Sequence, residues 1–400
     1  MRVMMLNPSF SGGGYVHNLC NALVAQGVEV ELATSPHFLR SSRGWTEVAY
    51  TPRIWFYRWT QLRSYARGPL RPIWQVLRFM GHNWTMWRIF RQARRFDVIH
   101  AHFPPVLLVD VRWLRAIARR TALVHTVHNL YPHDSGRTRQ TRRLLRQLYR
   151  TCERLFVHSD ATRDGLLHEF GVAPDHVVKV PFGNYGHMVP DLSRAHSDSP
   201  PVSSTTPVVL FFGEIRVNKG LDVLIEAAAL LRDQGVRFRV LVAGQPGVPV
   251  DEYREQLKRL GLDKLVEFRV GYIEEDRVAA IFADAAVVAL PYTAIDHSAV
   301  AITATTLGRA LVASELAGLA ELVRGAGNGL LVPPSDSAAL AVALGELITN
   351  DALRQKLEHN SREYASRELS WPPIAQLTRA TYERARASRV NDSTERRESH

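Results

Sequence analysis

The chain has 400 residues, 46% of them hydrophobic and 22% charged, an ordinary globular composition at a length that usually needs two hydrophobic cores. Only two cysteines occur, Cys20 and Cys152, without metal-ligand spacing, which excludes a disulfide framework and fits a reducing compartment. The net charge of +11 calls for an anionic partner, and nucleic acid, an anionic membrane surface and a phosphate-bearing substrate all fit.

The opening MRVMMLNPSF reads as a short buried strand running into a glycine loop. It lacks the long apolar core of a signal peptide, and no later apolar run reaches membrane-spanning length, so a cytoplasmic protein is expected. In the loop SFSGGGYVHNL, Ser9 to Leu19, Gly12, Gly13 and Gly14 permit positive φ and let backbone approach a ligand. A tight turn without a ligand is the plain alternative. The pattern is not GxGxxG, and no acidic residue closes the second strand, so a nicotinamide site is disfavoured. A helix follows over Tyr15 to Gly27, and then the strand VEVELAT, Val28 to Thr34.

Residues 53 to 95 hold five of the eight tryptophans, interleaved with arginines and almost without acid. Trp and Arg on amphipathic helices suit the headgroup region of an anionic bilayer; an arginine-faced helix on the protein's own core is the alternative. No nucleic-acid module is recognisable, so nucleic acid ranks below membrane. Strands follow at DVIHAH (Asp97 to His102) and ALVHTV (Ala122 to Val127). They carry the pairs His100 with His102 and His125 with His128, at the strand ends where open α/β sheets bind ligands. An i, i+3 pair does not share a strand face, so a shared metal is disfavoured, and one histidine aimed at a ligand fits better. Further strands are read at LFVHS and VVKVP, after the arginine-rich run Arg137 to Arg154.

The Ser/Pro/Thr-rich stretch 191–206 reads as a linker between an N-terminal domain, 1–190, and a second domain, 207–372. Beyond it strand and helix alternate again: VVLFFG, RFRVLVAG, VEFRVG, AVVALP, ALVAS and GLLVPP are near-continuous apolar runs, as parallel strands buried on both faces require. Two such units predict an α/β protein of two Rossmann-like doubly wound domains facing a cleft. In GEIRVNKGLDVLIEA, Gly213 to Ala227, Arg216 and Lys219 stand between a strand and a helix, where helix-end N–H groups already favour an anion. In LPYTAIDHSAVAITATTLGRALVAS, a loop with Asp296, His297 and Ser298 leads into a helix of small residues that admits a ligand to its N-terminus. A helix over 373–388 and a disordered tail over 389–400 complete the reading.

The order of these motifs resembles the retaining glycosyltransferases of the GT-B fold, family 4 type. The resemblance runs over residues 1 to 388, from the glycine loop through HTVHN, FGEIRVNKG and VLVAGQPG to PYTAIDHS and GLAELVRGAGNGLLVPPSD. It implies that Lys219 and Gly220 hold a nucleotide-sugar diphosphate, with Gly213 and Gly244 in the same site. Glu214 stands where the family has an arginine, and Arg216 takes that role. His128 matches the sugar-facing histidine, and Gly13 and Gly14 match the loop that meets phosphates or acceptor. The backbone around Tyr272 would meet the base. The family's glutamate pair falls at Ile295, with Asp296 the nearest carboxylate, and at Thr303, which would hold one ribose hydroxyl.

The resemblance implies front-face substitution without a protein nucleophile. No D-x-D arrangement occurs, so no metal or other cofactor is expected, and Arg216, Lys219 and the helix dipole would meet the leaving diphosphate. The C-terminal helix would cross back to the first domain. The expected partners are a nucleotide diphosphate sugar, a saccharide or lipid-linked acceptor, and an anionic membrane surface on the cytoplasmic side, with no nucleic acid. A soluble-acceptor transferase or glucan synthase of the same fold, and a non-catalytic transferase partner, are the alternatives.

Overall fold

The computed structural model describes residues 1–8, 13–36, 38, 48–57, 71–131, 136–186, 206–295 and 297–398. The chain forms two compact units: Met1–Pro181 with Trp371–His400, and Phe182–Ser370.

The first unit is built on a seven-stranded sheet in the order β3-β2-β1-β4-β5-β6-β7. The strands are β1 (Arg2–Asn7), β2 (Glu29–Thr34), β3 (Thr51–Ile54), β4 (Val98–Ala101), β5 (Ala122–Thr126), β6 (Arg154–Val157) and β7 (Val177–Lys179). Every pairing is parallel. The unexpected strand is β3, TPRI, which among the described residues pairs only with β2. Proline cannot donate to a ladder, so Pro52 argues against a central strand, and the sheet edge is where it is tolerated.

The second unit carries a six-stranded parallel sheet, β10-β9-β8-β11-β12-β13. Its strands are β8 (Val208–Phe212), β9 (Arg239–Gly244), β10 (Val266–Val270), β11 (Val287–Leu290), β12 (Ala310–Ser314) and β13 (Gly329–Val332). The unbroken apolar run of β8 has a direct cause. Val209 and Phe211 enter a core with the helices Leu221–Asp233 and Ser337–Thr349, while Val208 and Leu210 enter another with Phe282, Ala301 and Val323. Side chains alternate across a strand, so a sheet covered on both faces needs apolar residues at both parities. In each sheet the strand order reverses at the first strand, which sets a topological switch point between β1 and β4 and another between β8 and β11.

Two expected boundaries move. The expected 191–206 linker lies outside the described residues apart from Thr206. The segment from Phe182 already belongs to the second unit: Asn184 N–H donates to the Leu369 carbonyl (2.8 Å), and Tyr185 N–H to Thr306 Oγ1 (3.3 Å). The last helix runs over Trp371–Glu398 rather than 373–388, so the tail expected to be disordered from 389 is helical through Glu398. A formed helix supplies the nucleus, and propagation through polar residues then needs no apolar burial of its own. This helix is part of the first unit. Tyr382 Oη lies 2.6 Å from His100 Nδ1, Arg389 pairs with Glu153 at 3.3 Å, and the Trp371 ring meets Tyr15.

Candidate functional site

In the second unit β8 runs into Gly213, at φ 104, whose N–H donates to the Ala243 carbonyl at 2.9 Å. Gly244, at φ 153, lies so close that a Cβ on it would sit 1.8 Å from the Gly213 carbonyl oxygen. The two expected glycines therefore meet backbone to backbone. The chain then makes one tight turn, Val217–Lys219, and Gly220 at φ 65 and ψ 36 opens the helix Leu221–Asp233. A Cβ on Gly220 would stand 1.9 Å from the Pro291 carbonyl oxygen, just beyond β11. Two further bonds fix this approach: Thr293 N–H donates to the Asn218 carbonyl (3.0 Å), and the Asn218 amide to that of Ala294 (2.9 Å). The motif thus lies at the β8/β11 switch point.

Lys219 places its ammonium 3.8 Å from the centroid of the Tyr292 ring. Burial first and the Arg216 charge second lower its pKa to about 8, against the opposing pull of Glu214. Arg216 is half-exposed and pairs with Glu214 at 2.9 Å. Glu214, at the position where the resemblance implies an arginine, is thus paired with Arg216. Tyr292, fully buried under Lys219, is a site residue that the sequence reading missed. Its place directly after the strand-end Pro291 was the available signal.

The next segment is partly as expected. Ser298 caps the helix Ala299–Thr306 by accepting from Ala301 N–H (3.1 Å), and its hydroxyl lies 3.4 Å from Tyr292 Oη. Thr303 is buried and donates to the Ala299 carbonyl (2.9 Å), which leaves its oxygen as an acceptor only. Ile295 packs against the core, His297 is half-buried, and Asp296 lies outside the described residues. Tyr272 is exposed, directly after Gly271, whose N–H donates to the Gly244 carbonyl (3.0 Å).

In the first unit the two histidine pairs converge with a fifth member, His158, which follows β6. The His128 ring lies flat on Phe103 (centroids 4.1 Å, 7°), meets Tyr15 edge-on (5.3 Å, 89°) and stands 5.2 Å from His158. His100 bonds Tyr382 and Thr126, and His125 bonds the Ala101 carbonyl through Nδ1 (2.8 Å). These two are structural. Burial holds His100, His102 and His125 neutral, with His125 at about 4. Gly13 and Gly14 begin the helix Gly13–Ala25 two residues earlier than expected; Gly12 lies outside the described residues. Among the described residues, no three His, Cys, Asp or Glu side chains are placed to share a metal ion.

The Trp/Arg segment resolves into the helix Arg71–Gln92, which contains no acidic residue. One side is buried through His82, Met86 and Ile89. His82 is anchored on both nitrogens, to Asp110 Oδ1 (2.6 Å) and Tyr57 Oη (3.2 Å), and Asp110 Oδ2 accepts from Val106 N–H (2.8 Å). The other side leaves Ile73, Val76, Leu77, Met80 and Trp84 exposed, a stripe at helical spacing. Among the described residues no helix is long and apolar enough to cross a membrane.

The family model described as Glycosyltransferase Family 4 matches residues 12–183, and that described as Glycosyl transferases group 1 matches residues 206–350. A D-inositol 3-phosphate glycosyltransferase of Corynebacterium efficiens is 30% identical over 97% of this chain and 94% of its own length. Its counterpart in Corynebacterium glutamicum is 29% identical over 94% and 93%. Among solved structures, Anabaena HepE in complex with UDP superposes with a TM-score of 0.71 at 20% identity, over 96% of this chain and all of that one. The same protein with UDP-glucose scores 0.70. Sucrose-phosphate synthase from Thermosynechococcus elongatus scores 0.73 at 20% identity, over 97% of this chain and 100% of that one. The two parallel-sheet units are those of the GT-B fold.

Proposed function

The chain belongs to the family 4 glycosyltransferases, and from that premise we propose that it moves a hexose from a nucleotide diphosphate sugar to an acceptor hydroxyl, with retention of configuration and without a metal. The observation that carries the donor half is Lys219, a half-buried ammonium stacked on Tyr292 beside Arg216, with Glu214 as the opposing charge among the described residues. A diphosphate supplies the missing anion. As the glycosidic bond breaks, negative charge grows on the leaving phosphate, and one well-placed donor there is worth about 3–4 kcal/mol. The UDP and UDP-glucose held by the Anabaena neighbour support a nucleotide sugar as donor.

We assign Gly213, Gly220 and Gly244 to close backbone approach by the phosphates, and Tyr272 to the base. Ser298, His297, Thr303 and Asp296 are assigned to ribose and sugar hydroxyls. In the first unit His128 orients the sugar, and Gly13 and Gly14 meet phosphate or acceptor. No residue is assigned as nucleophile; the departing phosphate takes the acceptor proton.

For the acceptor, the exposed stripe of the helix Arg71–Gln92 favours a lipid-linked glycan or glycolipid at the inner face of an anionic membrane. Exposed Arg78, Arg88 and Arg91 on this helix, and Arg112 and Arg115 on the helix Leu107–Ala118, suit anionic headgroups. A second reading has its own observation: the Corynebacterium relatives, similar over nearly the whole chain, bear the name D-inositol 3-phosphate glycosyltransferase, which favours a soluble phosphorylated polyol as acceptor.

Thermal shifts with UDP, GDP, ADP and TDP on wild type and Lys219→Ala test the donor site. One diphosphate raises the wild-type melting temperature and leaves the variant unmoved; no response from either protein would end the transferase reading. Flotation with phosphatidylglycerol vesicles, comparing wild type with Met80→Ser/Trp84→Ser, separates the acceptor readings. Capture lost in the variant supports the membrane, and no wild-type capture supports the soluble acceptor.

A further inference from the structure

Within the histidine cluster of the first unit, His102 makes two contacts that determine where its proton sits. Its Nε2 lies 3.0 Å from the Met5 thioether sulfur, and its Nδ1 lies 3.1 Å from His128 Nε2. We propose that His102 is a positioning residue that fixes the tautomer of His128, with the Met5 sulfur as the fixed end of the relay. A thioether has no proton to give and can only accept weakly, so the nitrogen that faces it is the N–H. A neutral imidazole protonated at Nε2 carries its lone pair at Nδ1. His102 Nδ1 therefore accepts, and the proton between the two rings belongs to His128 Nε2. That leaves the lone pair of His128 on Nδ1.

The opposite arrangement would direct a nitrogen lone pair at the lone pairs of sulfur inside a fully buried site. A doubly protonated His102 is opposed by burial and by the histidines around it, chiefly His100, whose ring centroid is 4.2 Å away. Phe103 flat against one face of His128 and Tyr15 at its edge hold the ring in the plane this bond requires.

The consequence for chemistry rests on the reading above, in which His128 meets the transferred sugar. With its lone pair at Nδ1, a nitrogen buried in this structure, His128 can only accept there, so a sugar hydroxyl that reaches it is oriented by an acceptor and given no proton. Met5 and His102 enter the reaction only through His128.

The tautomer can be read without substrate. Long-range proton–nitrogen correlation spectra of ¹⁵N-histidine-labelled full-length protein at pH 8 distinguish Nε2–H from Nδ1–H rings, and the His128 signals are assigned by their loss in His128→Asn. Wild type is expected to show both His102 and His128 as Nε2–H. Met5→Leu, which keeps the volume and removes the acceptor, is expected to lose that pure pattern at both rings. With a transferable sugar, the same variant should lower kcat about tenfold with KM little changed, the loss of one neutral hydrogen bond. An Nδ1–H His128 in wild type overturns the relay, as does a Met5→Leu spectrum identical to wild type. If Met5→Leu fails to fold, the wild-type spectrum alone decides. A failure of the transferase reading would appear in the nucleotide shifts and leave this spectrum unchanged.

Discussion

Acid should unfold the first unit, because its sheet ends and first helix bury histidines that fold only as neutral rings. His17 and His125 are held at about 4, and His100 and His102 lie well below the ordinary value, in each case chiefly through burial. Unfolded, all four titrate near 6.5. Their folded pKa values are depressed, so full stability is present above about pH 6.5 and is lost as pH falls from there toward about 4, where only the unfolded chain takes up protons. At pH 5.5 each ring contributes a loss of about 1.4 kcal/mol, and the four together about 5–6 kcal/mol. That is comparable with the whole stability of a domain. The assay is favourable, because all eight tryptophans fall in the residue ranges of the first unit and their emission reports on it alone. Urea titrations followed by tryptophan emission at pH 8 and pH 5.5 give the difference directly. His125→Gln, which retains an amide donor for the Ala101 carbonyl, should remove about a quarter of it. Equal stabilities at the two pH values, or a pH dependence unaltered in His125→Gln, would refute the reasoning.

Three further outcomes follow from the same geometry. Lys219 loses its proton as pH rises through about 8, so UDP affinity measured by calorimetry should fall between pH 7 and 9.5, by up to about tenfold per unit at the alkaline end. In Lys219→Arg the fall should vanish, since a guanidinium stays charged; a pH-independent wild type would remove Lys219 from the phosphate site. Gly220→Ala should destabilise the second unit by about 2 kcal/mol or more and abolish the nucleotide response, because its Cβ meets the Pro291 carbonyl as well as a left-handed backbone. Gly235→Ala, with a similar φ of 74 and nothing within 4 Å, isolates the backbone part at about 1 kcal/mol, and equal losses would show that the Pro291 contact is immaterial. Asp110→Ala strips His82 of its carboxylate and Val106 N–H of its acceptor, and should lower tryptophan-detected stability by about 3 kcal/mol. A loss below about 1 kcal/mol would mean that this pair does not fasten the helix Arg71–Gln92.

The features legible in the sequence are those whose cause is local. Parallel strands buried on both faces must be apolar at both parities, so β8 can be read from VVLFF, and a glycine forced to positive φ between strand and helix marks Gly220. What could not be read depends on residues distant in the chain. Nothing in TPRI announces β3, because its strand character comes from an edge position beside β2, where Pro52 is harmless. Tyr292 reaches Lys219 only because the reversal of strand order places β11 beside β8. The histidines show the same division. Their density at HAH and HTVH, at the ends of two strands, was visible. The sorting of His100 and His125 into structural partners needed Tyr382, Thr126 and the Ala101 carbonyl, the first of them 282 residues away. A side chain's chemistry is set by whatever occupies its other hydrogen-bonding atoms. For His102 that neighbour is a methionine on the first strand, a residue that no search for catalytic types would select.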